Sequence, residues 1–190
     1  KICILTDFDK TLTKAFFKGR ASQSLLAVLR DNDYFGLEYA DKAKEMFKKY
    51  HPVESSQSLS REEKRKIMEQ WWREHDKLLI EVGLNKKDIY WAANHESIQF
   101  RDGFLDFMDF LKTNKIPLVV MSASGLGTEA IKACFEKVDK LYDNVYIISN
   151  DFEWDENGKA VKVKEPIIHS LNKDETLVAS FPEIFKNVES

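Results

Sequence analysis

An α/β fold, with a Rossmann-like parallel sheet core and a helical cap inserted after the first strand, is predicted by three observations. Short apolar runs rich in β-branched residues recur at residues 1–6, 117–121 and 145–148. Helical periodicity follows or precedes the later runs, at residues 103–114 and 127–138. Strands alternating with helices argue for a parallel sheet covered on both faces. The stretch between residues 16 and 99 differs: it shows several helical segments and no convincing strand.

In chain order, KICILT at residues 1–6 reads as a fully buried strand that breaks off at Asp7. Ser60 and Glu63 spell a capping box at the start of a long helix. Its apolar positions Ile67, Met68, Trp71, Trp72, Leu78, Leu79 and Val82 follow a 3.6-residue period. In residues 103–114, Phe104, Phe107, Met108 and Leu111 share one stripe. Asn157-Gly158 marks the turn of a hairpin between residues 152–154 and 160–163. Residues 181–188 read as a short helix. These elements divide the chain into a core of residues 1–15 and 100–190 and a cap of residues 16–99.

Composition narrows the function classes. The 190 residues are 43% hydrophobic and 32% charged with a net charge of −3, ordinary for a globular chain. Nearly balanced charge argues against an electrostatic grip on nucleic acid, which needs a basic face. No apolar run approaches the ~18 residues of a membrane span, and no signal peptide is visible. The two cysteines, Cys3 and Cys134, lack metal-ligand spacing and read as buried thiols in a reducing compartment. The expectation is a cytoplasmic monomer acting on a small molecule, with no nucleic-acid or membrane partner.

Chemistry concentrates where strands end. In open parallel sheets, ligands bind outside the carboxyl ends of the strands, and Asp7 and Ser122 both fall there. Two aspartates at i and i+2, Asp7 and Asp9, repel each other unless a cation or hydrogen bonds compensate. Mg²⁺ would relieve this, Asp7 could attack phosphorus, and Asp9 could serve as acid and base. Alone, the pair serves equally as a turn or helix cap. Ser122, Ala123, Ser124 and Gly125, where a strand meets a helix, could cradle an anion or form a plain serine cap. Lys173 could neutralise repulsion between carboxylate and phosphate, but one basic residue among 29 carries no weight alone.

The order Asp7-Phe8-Asp9-Lys10-Thr11, then Ser122, then Lys173 resembles the haloacid dehalogenase-like phosphatase superfamily. Within it, the chain looks like the cytosolic 5′-nucleotidase III, or pyrimidine 5′-nucleotidase, family. The residues that carry this likeness are Ser122 to Gly125, Ile148 to Phe152, the hairpin at residues 155–158, and Ile168 to Lys173. Tyr50 to Glu54 and Glu69 to Trp72 extend it into the cap. The resemblance implies Mg²⁺-dependent hydrolysis of nucleoside 5′-monophosphates, pyrimidine or 7-methylguanosine, through an aspartyl-phosphate. It places the nucleophile at Asp7, the acid/base at Asp9, the metal on both, and the phosphate on Ser122, Ala123 and Lys173. Glu54 and Trp72 fall at base-binding positions, and Trp71 is assigned to packing. His75 stands where relatives tend to carry a small residue, bordering the base. His51, His95 and His169 read as ordinary hydrogen-bonding or surface residues.

One departure stands out. The superfamily's fourth signature, an acidic pair in a loop after the lysine, finds no match beyond Lys173. The core is therefore expected to be incomplete at its C-terminus and to bind Mg²⁺ poorly. A phosphatase for another small ester such as phosphoserine, and a non-catalytic phosphate-binding protein, are the alternatives.

Overall fold

The computed structural model describes residues 2–189. Three strands, β1 (Ile4–Thr6), β4 (Leu118–Met121) and β5 (Val145–Ile148), form a parallel sheet in the order β1-β4-β5. The register pairs Thr6 with Val120 and Met121 with Ile148. Asp7 and Ser122 therefore leave the sheet together at its carboxyl edge. This parallel α/β core is the predicted one.

Alternation along the central strand explains the two-sided packing. Leu118 and Val120 face the main apolar cluster with Met108, Leu111, Ile131 and Phe135 from α5 (Phe104–Thr113) and α6 (Gly127–Glu136). Val119 and Met121 face the other way, with Ile148, against Ile168 and Ile184. Ile184 lies on α7 (Pro182–Glu189), which follows a 3₁₀ helix at Glu175–Ser180. This covering stops short of β1, where Leu5 is 47% exposed and Ile2 71%. The first strand is thus not fully buried as its apolar run suggested, because β1 pairs only with β4 among the described residues. Cys3, expected to be buried, is exposed for the same reason, whereas Cys134 is buried; both are free thiols. Lys1, the first residue of that predicted run, lies outside the described residues.

The stretch after β1 contains a two-stranded hairpin that the sequence did not announce. Here β2 (Phe16–Phe17) pairs with β3 (Arg20–Ala21). Lys18 and Gly19 between them both have positive φ, +48° and +75°, as a two-residue hairpin loop with right-handed strand twist requires. Strands of two residues are too short to show alternation. Four helices follow: α1 (Leu25–Asp31), α2 (Leu37–Glu54), α3 (Arg61–Glu81) and α4 (Lys86–Asn94). The Ser60–Glu63 capping box forms as predicted. So does the hairpin of β6 (Phe152–Trp154) and β7 (Ala160–Val163). The α4 helix packs on α6, α2 on α3, and α3 on β7. Leu25, Leu29, Leu79 and Ile89 from these helices share the main cluster with Phe8 and Leu118. Among the described residues no helix is long and apolar enough to cross a membrane.

Candidate active site

Phe8 is the anchor of the loop that follows β1. It has no exposed surface and meets Phe100 edge-on at 6.1 Å, while Asp7 and Asp9 on either side stay half-buried. The Phe8 carbonyl accepts the N–H groups of Thr11, Leu12 and Thr13 at 3.3, 3.0 and 3.1 Å. The Thr13 hydroxyl accepts the Lys10 N–H at 2.8 Å, closing a turn in which Lys10 adopts φ +60°. From 90 residues away, Arg101 donates to the carbonyls of Thr11 at 2.7 Å and Lys10 at 2.5 Å. Nothing in the sequence marks Arg101, a single arginine outside any motif, as a support of this loop.

Lys173 Nζ lies 2.6 Å from Asp7 Oδ1, joining residues 166 apart in sequence. Burial first, and then the charge of Asp7, push the Asp9 carboxyl up to about 6, against the opposing pull of Lys10 and Lys173. One carboxylate is thus held beside an ammonium while its neighbour titrates close to neutrality. Such a pair has the chemistry to divide labour between a nucleophile and a general acid.

Ser122 is buried at the end of β4. Its N–H is engaged with the Ile148 carbonyl at 2.9 Å, so only its hydroxyl and the following N–H groups remain for an anion. The start of α6 is also partly spoken for. Thr128 N–H donates to the Asn150 carbonyl at 2.8 Å, and Leu126 N–H to Ser124 Oγ at 3.3 Å. Gly127 is required at that start: its φ is +75°, and a Cβ there would fall 2.5 Å from the Asn150 carbonyl oxygen.

Asn150, just past β5, ties the site together. It is 1% exposed; its amide donates to Ser124 O at 3.2 Å and Ile168 O at 2.9 Å, and its side-chain oxygen accepts Ile168 N–H at 2.7 Å. One side chain thereby fixes the loop after Ser122 against the loop carrying Lys173. Asn172 stiffens that second loop, accepting from His169 N–H and donating to Ile167 O, both at 2.8 Å. Lys173 N–H then donates to the His169 carbonyl at 3.1 Å. The sequence signal was the segment Ile148 to Phe152, which marked the place but not the role.

A cavity of about 110 Å³ brings together Glu54, Trp72 and Ala123, with Met68, Trp71, His169 and Ser170 also lining it. The Trp72 indole N–H donates to Ile168 O at 2.5 Å, so α3 is tied to the Lys173 loop. Trp71 stacks on Tyr50 at 5.8 Å and also faces the cavity; both indoles border it, where sequence had assigned only Trp72. His75 lies elsewhere. It lines a second cavity of about 110 Å³ with Arg30 and Phe47, sharing only the two indoles with the first. Buried there, its ring is pushed down to about 4, first by burial and then by Arg30.

The residues present offer oxygen donors to a hard cation. Asp7 offers a carboxylate and Asp9 a main-chain carbonyl, which leaves the raised Asp9 carboxyl free to carry a proton. Mg²⁺ is commonly held by one or two carboxylates together with water and substrate phosphate, which this pair fits. Among the described residues no cluster of three or more His, Cys, Asp or Glu side chains forms a metal cage.

The family model of pyrimidine 5′-nucleotidase (UMPH-1) matches residues 10–190. A Gallus gallus protein named 7-methylguanosine phosphate-specific 5′-nucleotidase is 28% identical over 178 residues, covering 94% of this chain and 61% of its own. A Xenopus laevis relative, 7-methylguanosine phosphate-specific 5′-nucleotidase A, is 27% identical over 188 residues, covering 99% and 64%. Among solved structures, cytosolic 5′-nucleotidase IIIB bound to cytidine superposes with a TM-score of 0.76 at 25% identity, covering 98% of this chain and 61% of that one. A substrate-bound phosphoserine phosphatase shares the fold, with a TM-score of 0.55 at 18% identity, covering 98% and 72%. The chain thus spans about three fifths of the length of the curated relatives it matches.

Proposed function

We propose that this chain, which belongs to the pyrimidine 5′-nucleotidase family, carries the catalytic edge of an enzyme that hydrolyses nucleoside 5′-monophosphates. The observation that carries this reading is the contact of Lys173 Nζ with Asp7 Oδ1 at 2.6 Å, beside an Asp9 carboxyl raised to about 6. Asp7 attacks phosphorus: a bond from its carboxylate oxygen to phosphorus forms as the bond from phosphorus to the 5′-oxygen breaks. Asp9 gives its proton to that leaving oxygen. Water then attacks the aspartyl-phosphate, passing a proton to Asp9 and releasing Asp7 and inorganic phosphate. The Ser122 hydroxyl and Ala123 N–H hold the phosphate, and Lys173 offsets its charge against Asp7.

Asp7 and Asp9 would hold Mg²⁺, which supplies positive charge to the phosphate when bound. Glu54 accepts from a base amine or ring N–H, and Trp72 offers a flat face to the base. The relatives' names point to a pyrimidine or 7-methylguanosine as that base. The free thiols at Cys3 and Cys134 suit a cytoplasmic setting.

Phosphate release measured across CMP, UMP, 7-methyl-GMP and phosphoserine with Mg²⁺ tests the reading. Turnover of at least one nucleotide well above phosphoserine is expected. Equal or greater turnover of phosphoserine would replace it with a general phosphomonoesterase.

A further inference from the structure

We infer that His169 is a specificity-determining residue for the sugar of the substrate, its Nε2–H donating to a ribose hydroxyl. The inference rests on the nucleotidase reading above and extends it to a residue that sequence treated as ordinary. His169 is 3% exposed, and its Nδ1 accepts the Leu171 N–H at 3.2 Å. A backbone N–H can only donate, so the neutral ring must carry its proton on Nε2. Burial lowers the pKa of His169, which favours that neutral ring. Nε2 makes no side-chain hydrogen bond among the described residues, so its N–H is free to donate to a ligand that reaches it.

His169 lines the cavity that also holds Ala123 and Glu54 and, with Arg61, Arg65 and Asp174, a further one of about 650 Å³. It feels the charges of Glu69, Arg65 and Glu54 on the facing helices. Ala123 belongs to the phosphate end, next to Ser122. Glu54 and Trp72 belong to the base end. The polar wall left over is His169 with Ser170, and the part of a nucleotide left over is the sugar. The His169 carbonyl accepts the Lys173 N–H at 3.1 Å, which ties its backbone to the phosphate end, while the Leu171 N–H on Nδ1 holds the ring.

Nucleosides are not turned over, so their binding isolates the sugar and base. Cytidine, 2′-deoxycytidine and 3′-deoxycytidine are titrated against wild type, His169→Ala and His169→Gln, read by quenching of tryptophan fluorescence from the cavity wall. Wild type should bind cytidine about 3- to 10-fold more tightly than at least one deoxy analogue, the worth of one neutral hydrogen bond. His169→Ala should lose that preference, weakening for cytidine and not for the discriminated analogue. Disturbance of the Lys173 loop by the alanine would weaken all three alike and cannot imitate this pattern. The inference is overturned if wild type binds all three equally, or if the preference survives in both variants. Sugar discrimination by a protein that releases phosphate from no nucleotide would leave the inference standing and remove the nucleotidase reading.

Discussion

The carboxyl edge of the sheet and the aromatic cavity beside it are held by different forces. At the edge, Asp7, Asp9 and Lys173 are placed by hydrogen bonds from remote segments: Arg101 onto the loop carbonyls and Asn150 between the two phosphate-side loops. In the cavity, Trp71 and Trp72 are placed mainly by ring packing on α3 and α2, with a single indole hydrogen bond reaching the other region. Directional bonds fix the reacting groups to fractions of an ångström, which chemistry needs. Ring packing tolerates change of shape, which would suit the proposed selection among bases. The two regions should therefore fail differently when mutated.

The largest effect belongs to the edge. Asp7→Asn should lower phosphate release by at least about 10³-fold, while the melting temperature stays near wild type, because its ion pair with Lys173 is partly exposed. Steady-state kinetics beside a thermal melt checks this. Unfolding of the variant would mean that Asp7 serves the fold instead.

Asn150→Ala should damage both stability and rate. It strands the Ile168 N–H in a buried place, at a cost of about 1–3 kcal/mol, and frees the Lys173 loop, while the Ile168 and Ser124 carbonyls keep the Trp72 indole and Gly127 N–H donors. Urea unfolding and kcat should fall together; a drop in stability with kcat intact would separate the Asn150 hub from catalysis.

A buried acid of the helical region supplies a third contrast. Asp76 on α3 is pushed up to about 7, first by burial and also by Glu165, against the pull of Arg73, and its Oδ2 has no partner. A folded-state value raised above the usual carboxylate value near 4 means that the folded protein binds the proton more tightly. Its stability contribution is full below about pH 4 and lost as pH rises through about 7. Asp9 adds a smaller loss of the same sign, ending near its value of about 6. His75, pushed down to about 4, contributes a rise of opposite sign over the same window, so Asp76 is read from the difference between proteins. Wild type should lose on the order of 2–4 kcal/mol relative to Asp76→Asn between about pH 4 and 7. A difference between wild type and Asp76→Asn that does not change with pH would contradict the burial of Asp76.

The smallest effect belongs to the cavity. Trp72→Ala should raise KM for a nucleotide about tenfold, and Trp72→Phe, which keeps a flat face, should recover most of it. A loss confined to kcat would instead assign Trp72 to positioning the Lys173 loop through Ile168.

The sequence made the frame of this site legible because its signals are local. The β-branched runs gave β4 and β5 and most of β1, the Ser60–Glu63 box opened α3, and Asn157-Gly158 turned the hairpin. Burial of β1 was misjudged because it depends on what covers each face, and Leu5 has no local cue to its exposure. The hairpin β2–β3 escaped notice because two-residue strands have no period. Within the site, Asp7, Ser122 and Lys173 came from order along the chain. Arg101, Asn150 and His169 act through contacts with residues far away in sequence or through a tautomer set by a backbone N–H, and no pattern announces either. His75 looked like a neighbour of the base because it follows Trp72 by about one turn, yet it faces the second cavity.

The central claim is that Asp7 becomes the phosphorylated group, and one measurement reaches it directly. Asp9→Asn is mixed with an aryl phosphate, whose leaving group needs no proton, and quenched in acid before peptide mass analysis. The account predicts that the peptide containing Asp7 gains the mass of one phosphoryl group, absent from the Asp7→Asn, Asp9→Asn double variant. Release of phosphate by wild type with no such adduct, or an adduct on another residue, would contradict it.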